Sequence, residues 1–476
     1  MTNLSTLRGL VPQPARGCEW REQHTAYSIL EPLIAEYGSP LNIHNTHQFD
    51  NNIHKLLDIA KTLGIPLDIF FARKANKCLS YVERARENEI GVDVASYQEL
   101  VQCLDAGING TQIVCSAAVK NNSLLTLCID AGVTIAIDDE HELELVLDIA
   151  RSKQISAKVC LRARGFSFDD KILFTRFGID LHKLPSIITD YNSSDHLDIE
   201  GLHFHLTGYA SETRRAALEQ LLDLIERNPN VFSSLQYIDM GGGFPVNYLQ
   251  SKELWRDFWQ ALDENTDLTF CSDLLGKHLR SIGNSTAGNV YPFAQDQADL
   301  SWFEKIFNTR GQEHSLIERL QRLNLRVRCE PGRWLLNDCG FTAARVASVK
   351  VNTKGDTCIF VEMNHTHCRT GSADFIIDPV IVHKRPINAS DASTTGFIFG
   401  SYCTETDLIF KRRFKIPSQV GIGDILVIPN TAGYFMHFHE SQSHQLPLAK
   451  NIFLPATTAS DYRIDPIDAS STLDGK

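Results

Sequence analysis

The chain contains one lysine whose setting could support covalent chemistry. Lys74 follows an apolar run that ends in Phe70-Phe71-Ala72, and a helix-like segment begins at Cys78. A lysine at the end of a buried strand contributes little to packing, because its ammonium must be desolvated or reach outward to water. Such a lysine can instead be a nucleophile that forms a Schiff base with a carbonyl cofactor. The alternative is that Lys74 is simply solvated. The other residues of the predicted site are needed to choose between these two interpretations.

Eight short apolar runs alternate with segments of helical spacing. In chain order they occupy residues 66–71, 92–95, 113–115, 133–137, 157–161, 199–205, 235–240 and 325–329. This alternation predicts parallel βα units, and eight such units within about 250 to 300 residues fit one closed (β/α)8 TIM barrel. An open doubly wound sheet is the alternative fold, but no G-x-G-x-x-G follows the first run.

Chemistry in such a barrel takes place at the C-terminal ends of its strands. The residues at the predicted strand ends are Lys74, Asp93 with Ser96, Ser116, Asp138, Arg162, His205, Gly241-Gly242-Gly243 and Glu330. We expect these residues to meet at one mouth of the barrel. Together they indicate a functional site far more specifically than a lysine, a histidine, a triple glycine or a carboxylate would alone.

The rest of the chain predicts a second domain. After Arg333, apolar runs follow one another without helices between them and are broken by glycines, which predicts a mainly β-sheet domain. We therefore predict three regions. They are a cofactor-binding barrel at 41–343 with an insertion at about 246–322, a β domain built from 1–40 plus 344–460, and a loose tail at 461–476.

Composition narrows the classes of function. The 476 residues are 43% apolar and carry a net charge of −12 without a block of lysines and arginines, which argues against nucleic acid or a membrane surface as the partner. No run approaches the roughly 20 apolar residues that span a bilayer, and no secretory signal is visible. The 12 cysteines form no CxxC pairs, which predicts reduced thiols in a cytoplasmic protein.

Five motifs occur in one order along the chain. They are Phe71-Ala72-Arg73-Lys74-Ala75-Asn76, Gly201-Leu202-His203-Phe204-His205, Gly241-Gly242-Gly243-Phe244-Pro245, Glu330-Pro331-Gly332-Arg333 and Cys403-x-x-x-Asp407. This order resembles the fold-type III pyridoxal-phosphate decarboxylases, the ornithine and diaminopimelate decarboxylase family, whose barrel is like that of alanine racemase. The resemblance runs over roughly residues 40 to 440. It implies a carboxy-lyase that uses pyridoxal 5'-phosphate to remove the α-carboxylate of an amino acid.

The resemblance implies a role for each barrel motif. Lys74 would hold the cofactor covalently, and Glu330 would sit beside the pyridine nitrogen and keep it protonated, so that the ring can take up electrons. His205 would lie against the ring, with His203 as the secondary candidate. The alternatives are an ion-paired carboxylate at the strand end for Glu330 and a core histidine for His205.

The phosphate would be bound by the glycine triplet, because glycines let backbone N–H groups approach an anion closely. The resemblance places Arg333 near the same phosphate, although a surface arginine is an equal alternative. Relatives follow the histidine with a Gly-Ser pair, whereas this chain offers only the hydroxyl of Thr207. The phosphate-facing tyrosine of the family is either shifted to Tyr434 or absent.

The Cys403 motif implies a homodimer with shared sites. In the family this thiol enters the neighbouring subunit's site, where it protonates Cα after carbon dioxide leaves, and Asp407 accompanies it. Diamine and diaminopimelate enzymes carry an acid directly after the thiol, but this chain has Thr404 there and Glu405 one residue later. A distal cationic group on the substrate is therefore in doubt.

Arg369 lies where the family places substrate-facing residues. We expect it to bind a substrate carboxylate bidentately, which would suit a polycarboxylate amino acid, for instance an intermediate of siderophore or another specialised pathway. The neighbouring His365, His367 and Cys368 suggest a metal, but residues this close along a strand would point to opposite faces, so we predict no zinc site.

Two other functions stay open at this point. A racemase would need two opposed acid–base groups, and the Glu330 and Cys403 motifs favour decarboxylation instead. A catalytically inactive regulator that binds a partner protein would keep the fold, but Lys74, His205, the glycine triplet and Glu330 are all present.

Overall fold

The computed structural model describes residues 2–191, 194–264, 269, 272, 290–308, 315–370, 374–387, 392–454 and 462–469. The chain divides into two compact units. The barrel unit comprises residues 49–245 and 297–335, and the β unit comprises residues 1–48, 246–296 and 336–476.

The barrel unit is a closed ring of eight parallel strands. They are β1 (Leu67–Ala72), β2 (Gly91–Val94), β3 (Ile113–Cys115), β4 (Thr134–Ile137), β5 (Ala157–Arg164), β6 (Leu197–His203), β7 (Tyr237–Asp239) and β8 (Arg326–Cys329). Each strand pairs in parallel with the next, and β8 pairs with β1, which closes the ring. The predicted (β/α)8 class is confirmed, and each of the eight predicted runs forms a barrel strand.

Helices follow the strands as the alternating pattern predicts. The α-helices associated with the barrel are Thr46–Leu63, Leu79–Glu87, Tyr97–Asp105, Asn122–Ala131, Glu140–Lys153, Leu184–Tyr191, Ser211–Arg227, Asp299–Phe307 and Leu316–Arg322. Several begin at polar caps, because the side chains of Ser96, Asn121 and Asp139 accept a hydrogen bond from the backbone N–H three residues later. These caps fix where each helix starts after its strand.

The strand register brings polar residues together inside the barrel. His203 at the end of β6 pairs with Asp239 at the end of β7, and Asp239 pairs with Arg328 of β8. Directly paired residues of parallel strands project to the same side of the sheet. One histidine, one carboxylate and one arginine therefore lie side by side along the same face.

The β unit is built on an 11-stranded sheet, in agreement with the predicted mainly β domain. Its strands are Thr2–Thr6, Arg8–Gly9, Leu41–His44, Gly340–Val351, Thr357–Val361, Val380–Ile387, Ser393–Phe399, Leu408–Pro417, Ile425–Ile428, Lys450–Phe453 and Arg463–Ile464. Helices Glu19–His24, Tyr27–Tyr37, Lys252–Glu264 and Pro466–Ala469 belong to the same unit. Its core joins the Tyr27–Tyr37 helix to the sheet through Leu30, Leu33 and Ile34, which pack with Phe341 and Ile425.

Two segments are arranged differently from the predicted domain plan. Residues 246–296, which we predicted as part of an insertion in the barrel domain, group with the β unit. Within the predicted loose tail, Arg463–Ile464 pairs with the strand Lys450–Phe453, and Asp465 is buried. Residues 470–476 of that tail lie outside the described residues.

Candidate active site

Lys74 stands at the mouth of the barrel, in the short turn Arg73–Ala75 that follows β1. Its Nζ lies 2.7 Å from Oδ2 of Asp93, which is the second-last residue of β2 and is buried. The hydroxyl of Ser116, after β3, donates to the other oxygen of Asp93. Burial and the nearby charge of Glu330 raise the pKa of Asp93 to about 6, although Lys74 opposes that shift. The lysine is half-buried, and Asp93 orients its amine.

Glu330 follows β8 and is fully buried beside His203. Oε1 of Glu330 lies 3.3 Å from Nε2 of His203, but the two atoms are not aligned for a hydrogen bond. Burial alone would raise the pKa of Glu330, but the charges of His203 and Lys74 hold it well below its usual range. Glu330 is therefore an ionised carboxylate in the interior of the barrel.

Asp239 completes a compact buried cluster with these two side chains. Ligand atoms of His203, Asp239 and Glu330 lie within 4.8 Å of one another. Burial, and then the charge of Glu330, raise the pKa of Asp239 to about 7. Oδ1 of Asp239 accepts a hydrogen bond from the backbone N–H of Gly241. Asp239 thus links the cluster to the start of the glycine triplet.

The glycine triplet requires glycine for two separate reasons. Gly241 and Gly243 have φ of +64° and +86°, which side chains rarely tolerate. A Cβ at Gly242 would lie 2.8 Å from the backbone oxygen of Glu330, and a Cβ at Gly241 would lie 2.7 Å from that of Phe204. The loop therefore packs tightly against the ends of β6 and β8, and its backbone is left uncovered by side chains of its own.

His205, immediately after β6, is neutral in this setting. Its Nδ1 accepts a hydrogen bond from the backbone N–H of Gly242 at 3.2 Å, so that nitrogen carries no proton. Burial lowers the pKa of His205 to about 4. His205 therefore offers an uncharged ring at the mouth, next to the glycine triplet and near Glu330.

Arg162 and Asp138, two other predicted strand-end residues, lie together at the mouth. Nη1 of Arg162 is 3.5 Å from Oδ1 of Asp138, and its guanidinium stacks on the ring of Phe177 at 4.4 Å from the centroid. Oδ1 of Asp138 also accepts from the backbone N–H of Gly178. Both side chains thereby tie the loop after β5 to the barrel. Ser96 caps the next helix instead of entering the cluster.

Arg214 is a residue at this end of the barrel that the sequence reasoning missed. It lies in the first turn of the helix Ser211–Arg227 and is buried. Its Nη2 donates to the backbone oxygens of Leu206 and Gly208, on either side of Thr207. Thr207 itself is exposed, and Arg333 is half-buried in the turn after β8. No local pattern distinguishes Arg214 from the exposed arginines of amphipathic helices.

Several predicted site residues belong to the β unit and are described within it. Cys403 is exposed, whereas the other free cysteines among the described residues are buried. Its Sγ lies 3.7 Å from Nε2 of His444. Glu405 is exposed on the same turn, while Asp407 is buried and accepts hydrogen bonds from His365 and from the backbone N–H of Tyr402. Asp407 thus organises the turn that presents Cys403.

Arg369 is buried in the interior of the β unit. Its Nη2 donates to the backbone oxygens of Leu408 at 2.6 Å and of Ile409 at 3.4 Å, and lies 3.9 Å from Asp374. An arginine held in this way supports the strand Leu408–Pro417. Tyr434 is half-buried in the same unit and has φ of +74°.

Comparison with known proteins finds a matching domain and similar whole chains. Residues 50–273 match the family described as the pyridoxal-binding domain of pyridoxal-dependent decarboxylases. The chain is 27% identical over 425 residues to an uncharacterized protein of Sinorhizobium fredii, covering 88% of each chain. It is 21% identical over 435 residues to the diaminopimelate decarboxylase of Staphylococcus aureus, covering 89% of this chain and 90% of that protein.

Solved structures show the same fold. The diaminopimelate decarboxylase of Helicobacter pylori, complexed with L-lysine, has a TM-score of 0.66 at 18% identity and covers 91% of this chain and 95% of its own. The arginine decarboxylase of Paramecium bursaria Chlorella virus has a TM-score of 0.64 at 14% identity, covering 90% and 99%. The matched domain and the shared fold make this chain similar to barrel proteins that use pyridoxal phosphate. They confirm the resemblance to the pyridoxal-dependent decarboxylases and the cofactor predicted from the five motifs.

The residues present fit a pyridoxal phosphate. Both carboxylate oxygens of Glu330 are buried and accept no hydrogen bond from a described residue, so they are available to a protonated ring nitrogen. The glycine triplet leaves backbone uncovered where a phosphate could be bound, and Lys74 presents an amine at the same mouth. The residues around Glu330 could therefore hold this cofactor.

Within the described residues, no helix combines the length and the apolar character needed to cross a lipid bilayer.

Proposed function

We propose that this chain is a decarboxylase that removes the α-carboxylate of an amino acid with the help of pyridoxal 5'-phosphate. The observation that carries this proposal is the pairing of two features at one barrel mouth. Lys74 presents a half-buried amine beside Asp93, and Glu330 presents an ionised, buried carboxylate that accepts no hydrogen bond from any residue the structure describes. The family match supports the same cofactor and the same class of reaction.

In this proposal each barrel residue has one task. Lys74 binds the cofactor covalently, and Asp93 orients the lysine from 2.7 Å away. Glu330 would keep the ring nitrogen protonated, because an ionised carboxylate stabilises a positive charge beside it. The cofactor, when bound, accepts the electron pair released as the carboxylate leaves. The neutral His205 would contact the ring. The backbone of Gly241-Gly242-Gly243 would bind the phosphate, with Arg333, Thr207 and Tyr434 as further candidates.

We further propose that the enzyme is a homodimer in which Cys403 of the partner subunit donates a proton to Cα. The thiol is exposed and stands on a turn that buried Asp407 holds in place, so it is presented outward from the β unit. Glu405, exposed on the same turn, is the candidate for contact with the distal part of the substrate.

The test is a panel of amino acids incubated with the purified, cofactor-loaded protein. The panel contains diaminopimelate, lysine, ornithine, arginine and acidic amino acids, and both carbon dioxide and the configuration at Cα are measured. We expect stoichiometric carbon dioxide and amine from at least one compound, with none from the Lys74→Ala variant. Epimerisation at Cα without carbon dioxide release would contradict the proposal, and so would a loaded protein that releases none from any member.

A further inference from the structure

Arg214 is a buried cation without a counter-anion among the described residues. Its side chain is 1% exposed. Its guanidinium donates to three backbone oxygens, those of Leu206, Gly208 and Ala210, and it lies 5.6 Å from the ring centroid of Trp302. Within the described part of the chain, no carboxylate oxygen lies within ion-pairing distance of it. Burial lowers the pKa of Arg214 to about 10.

The carboxylate nearest in sequence is engaged elsewhere. Glu212 forms an ion pair with Lys305 and accepts hydrogen bonds from Ser211 and Gln297. A buried charge is costly unless an opposite charge compensates it. Hydrogen bonds to carbonyl oxygens lower that cost, but they leave the net positive charge in place. The position of Arg214 therefore suits an anion that the polypeptide does not provide.

The glycine triplet lies directly against this cation. A Cβ at Gly243 would collide with Nη2 of Arg214, so the guanidinium packs against the backbone of the loop. The backbone oxygen of Gly208, in the loop after β6, accepts a hydrogen bond from the same Nη2. The cation thus joins the loop after β6 to the loop after β7.

We propose that Arg214 stabilises the phosphate of the bound cofactor by placing a buried positive charge behind Gly241-Gly242-Gly243. The ligand class is a phosphate monoester, which carries close to two negative charges near neutral pH. Arg214 acts through the loop that it packs against and is a positioning residue. This inference rests on the proposed function.

The competing explanation is that Arg214 only braces the two loops. A brace would be lost in Arg214→Met and Arg214→Lys alike, because neither side chain can make the hydrogen bonds of the guanidinium, whereas the positive charge is kept in Arg214→Lys. The ratio of the affinities for pyridoxal phosphate and pyridoxal, compared between these two variants, therefore separates the explanations. Arg215 provides the matched control, because it is the next residue and its guanidinium also donates to backbone oxygens, those of Ile306 and Lys305.

The experiment measures dissociation constants of pyridoxal phosphate and pyridoxal for the full-length protein freed of cofactor, by titration calorimetry. For Arg214→Met we expect the affinity for pyridoxal phosphate to fall at least about tenfold and that for pyridoxal to stay within about twofold. Arg214→Lys, which keeps the charge, should retain most of the ratio even if it unfolds at a lower temperature. Arg215→Met should leave the ratio unchanged.

Equal losses for both compounds, or an unchanged ratio in Arg214→Met, would overturn the inference. If Arg214→Met does not fold, a ratio that collapses in Arg214→Lys would overturn it as well, since the charge is still present there. A wild-type protein that binds neither compound would instead contradict the proposed function, so the two failures are distinguishable.

Discussion

Nε2 of His203 lies 3.3 Å from Oε1 of Glu330, and both side chains are fully buried inside the barrel. His205 is neutral, and no ion pair links Arg328 to Glu330 within the described residues. Lys74, the other cation that lowers the pKa of Glu330, pairs with Asp93 and is assigned to the cofactor. His203 is therefore the group that keeps Glu330 ionised once the lysine is used.

Replacing His203 by asparagine should let Glu330 take the proton from the ring nitrogen. The variant removes the imidazole whose charge lowers the pKa of Glu330, so that pKa should rise toward its usual range or above it. We expect the 15N resonance of labelled pyridoxal phosphate to move from the protonated toward the unprotonated ring nitrogen, and carbon dioxide release to slow by about tenfold or more. In a Glu330→Gln background the same substitution should add little, because its effect passes through Glu330. If the effects of the two substitutions on carbon dioxide release simply added, this role of His203 would be contradicted.

Asp239 should make the stability of the cofactor-free protein depend on pH. Its pKa is about 7 in the folded protein, above that of an unfolded aspartate, so the folded state binds more protons between these values. Stability from this group is complete below about pH 4 and is lost as the pH rises toward 7. Relative to the wild type, Asp239→Asn should therefore gain stability over that range, by at most about 1.4 kcal/mol per pH unit. Urea unfolding of both proteins at several pH values measures the difference, and parallel curves would refute it.

Gly243→Ala should impair cofactor binding more than a matched glycine substitution. An alanine at Gly243 meets both an unfavourable φ of +86° and a collision with Arg214. Gly208 has a similar φ of +81°, but a Cβ there has nothing within 4 Å. We expect Gly243→Ala to lower the affinity for pyridoxal phosphate about tenfold beyond the loss in Gly208→Ala. Equal losses of affinity in the two variants would contradict this prediction, because backbone strain alone would then explain both.

The sites should be shared between two subunits. Lys74→Ala and Cys403→Ala homodimers should each be nearly inactive, whereas a refolded equimolar mixture should recover about a quarter of the wild-type activity, because half of the dimers would hold one intact site. Steady-state carbon dioxide release measures the recovery. A mixture as inactive as its components, with exchange of subunits verified by mass, would contradict shared sites.

The barrel was predictable because its signals are local and repeated. Eight apolar runs with helices between them leave few alternatives to parallel βα units, and strand ends identify the mouth without knowledge of side-chain contacts. Lys74, Asp93, His205, the glycine triplet and Glu330 follow from that rule together with the family motifs. The structure brings these residues to one end of the barrel unit.

The remaining features depend on contacts between distant segments. Arg214 has the same sequence signature as an exposed helical arginine, and only the fold buries it against Gly243 and the oxygen of Leu206. Asp239 appeared only as the end of an apolar run, because its proximity to Glu330 comes from the register of neighbouring strands. Arg369 was predicted from its position in a motif, but its guanidinium is used by the backbone of a neighbouring strand.

The attachment site of the cofactor tests the central claim most directly. The protein loaded with pyridoxal phosphate is reduced with borohydride, digested and analysed by mass spectrometry. The account predicts a single pyridoxyl label on Lys74, which is lost in Lys74→Ala while the fold, judged by circular dichroism, is kept. A label on another lysine, or none on a protein that has demonstrably bound the cofactor, would contradict it.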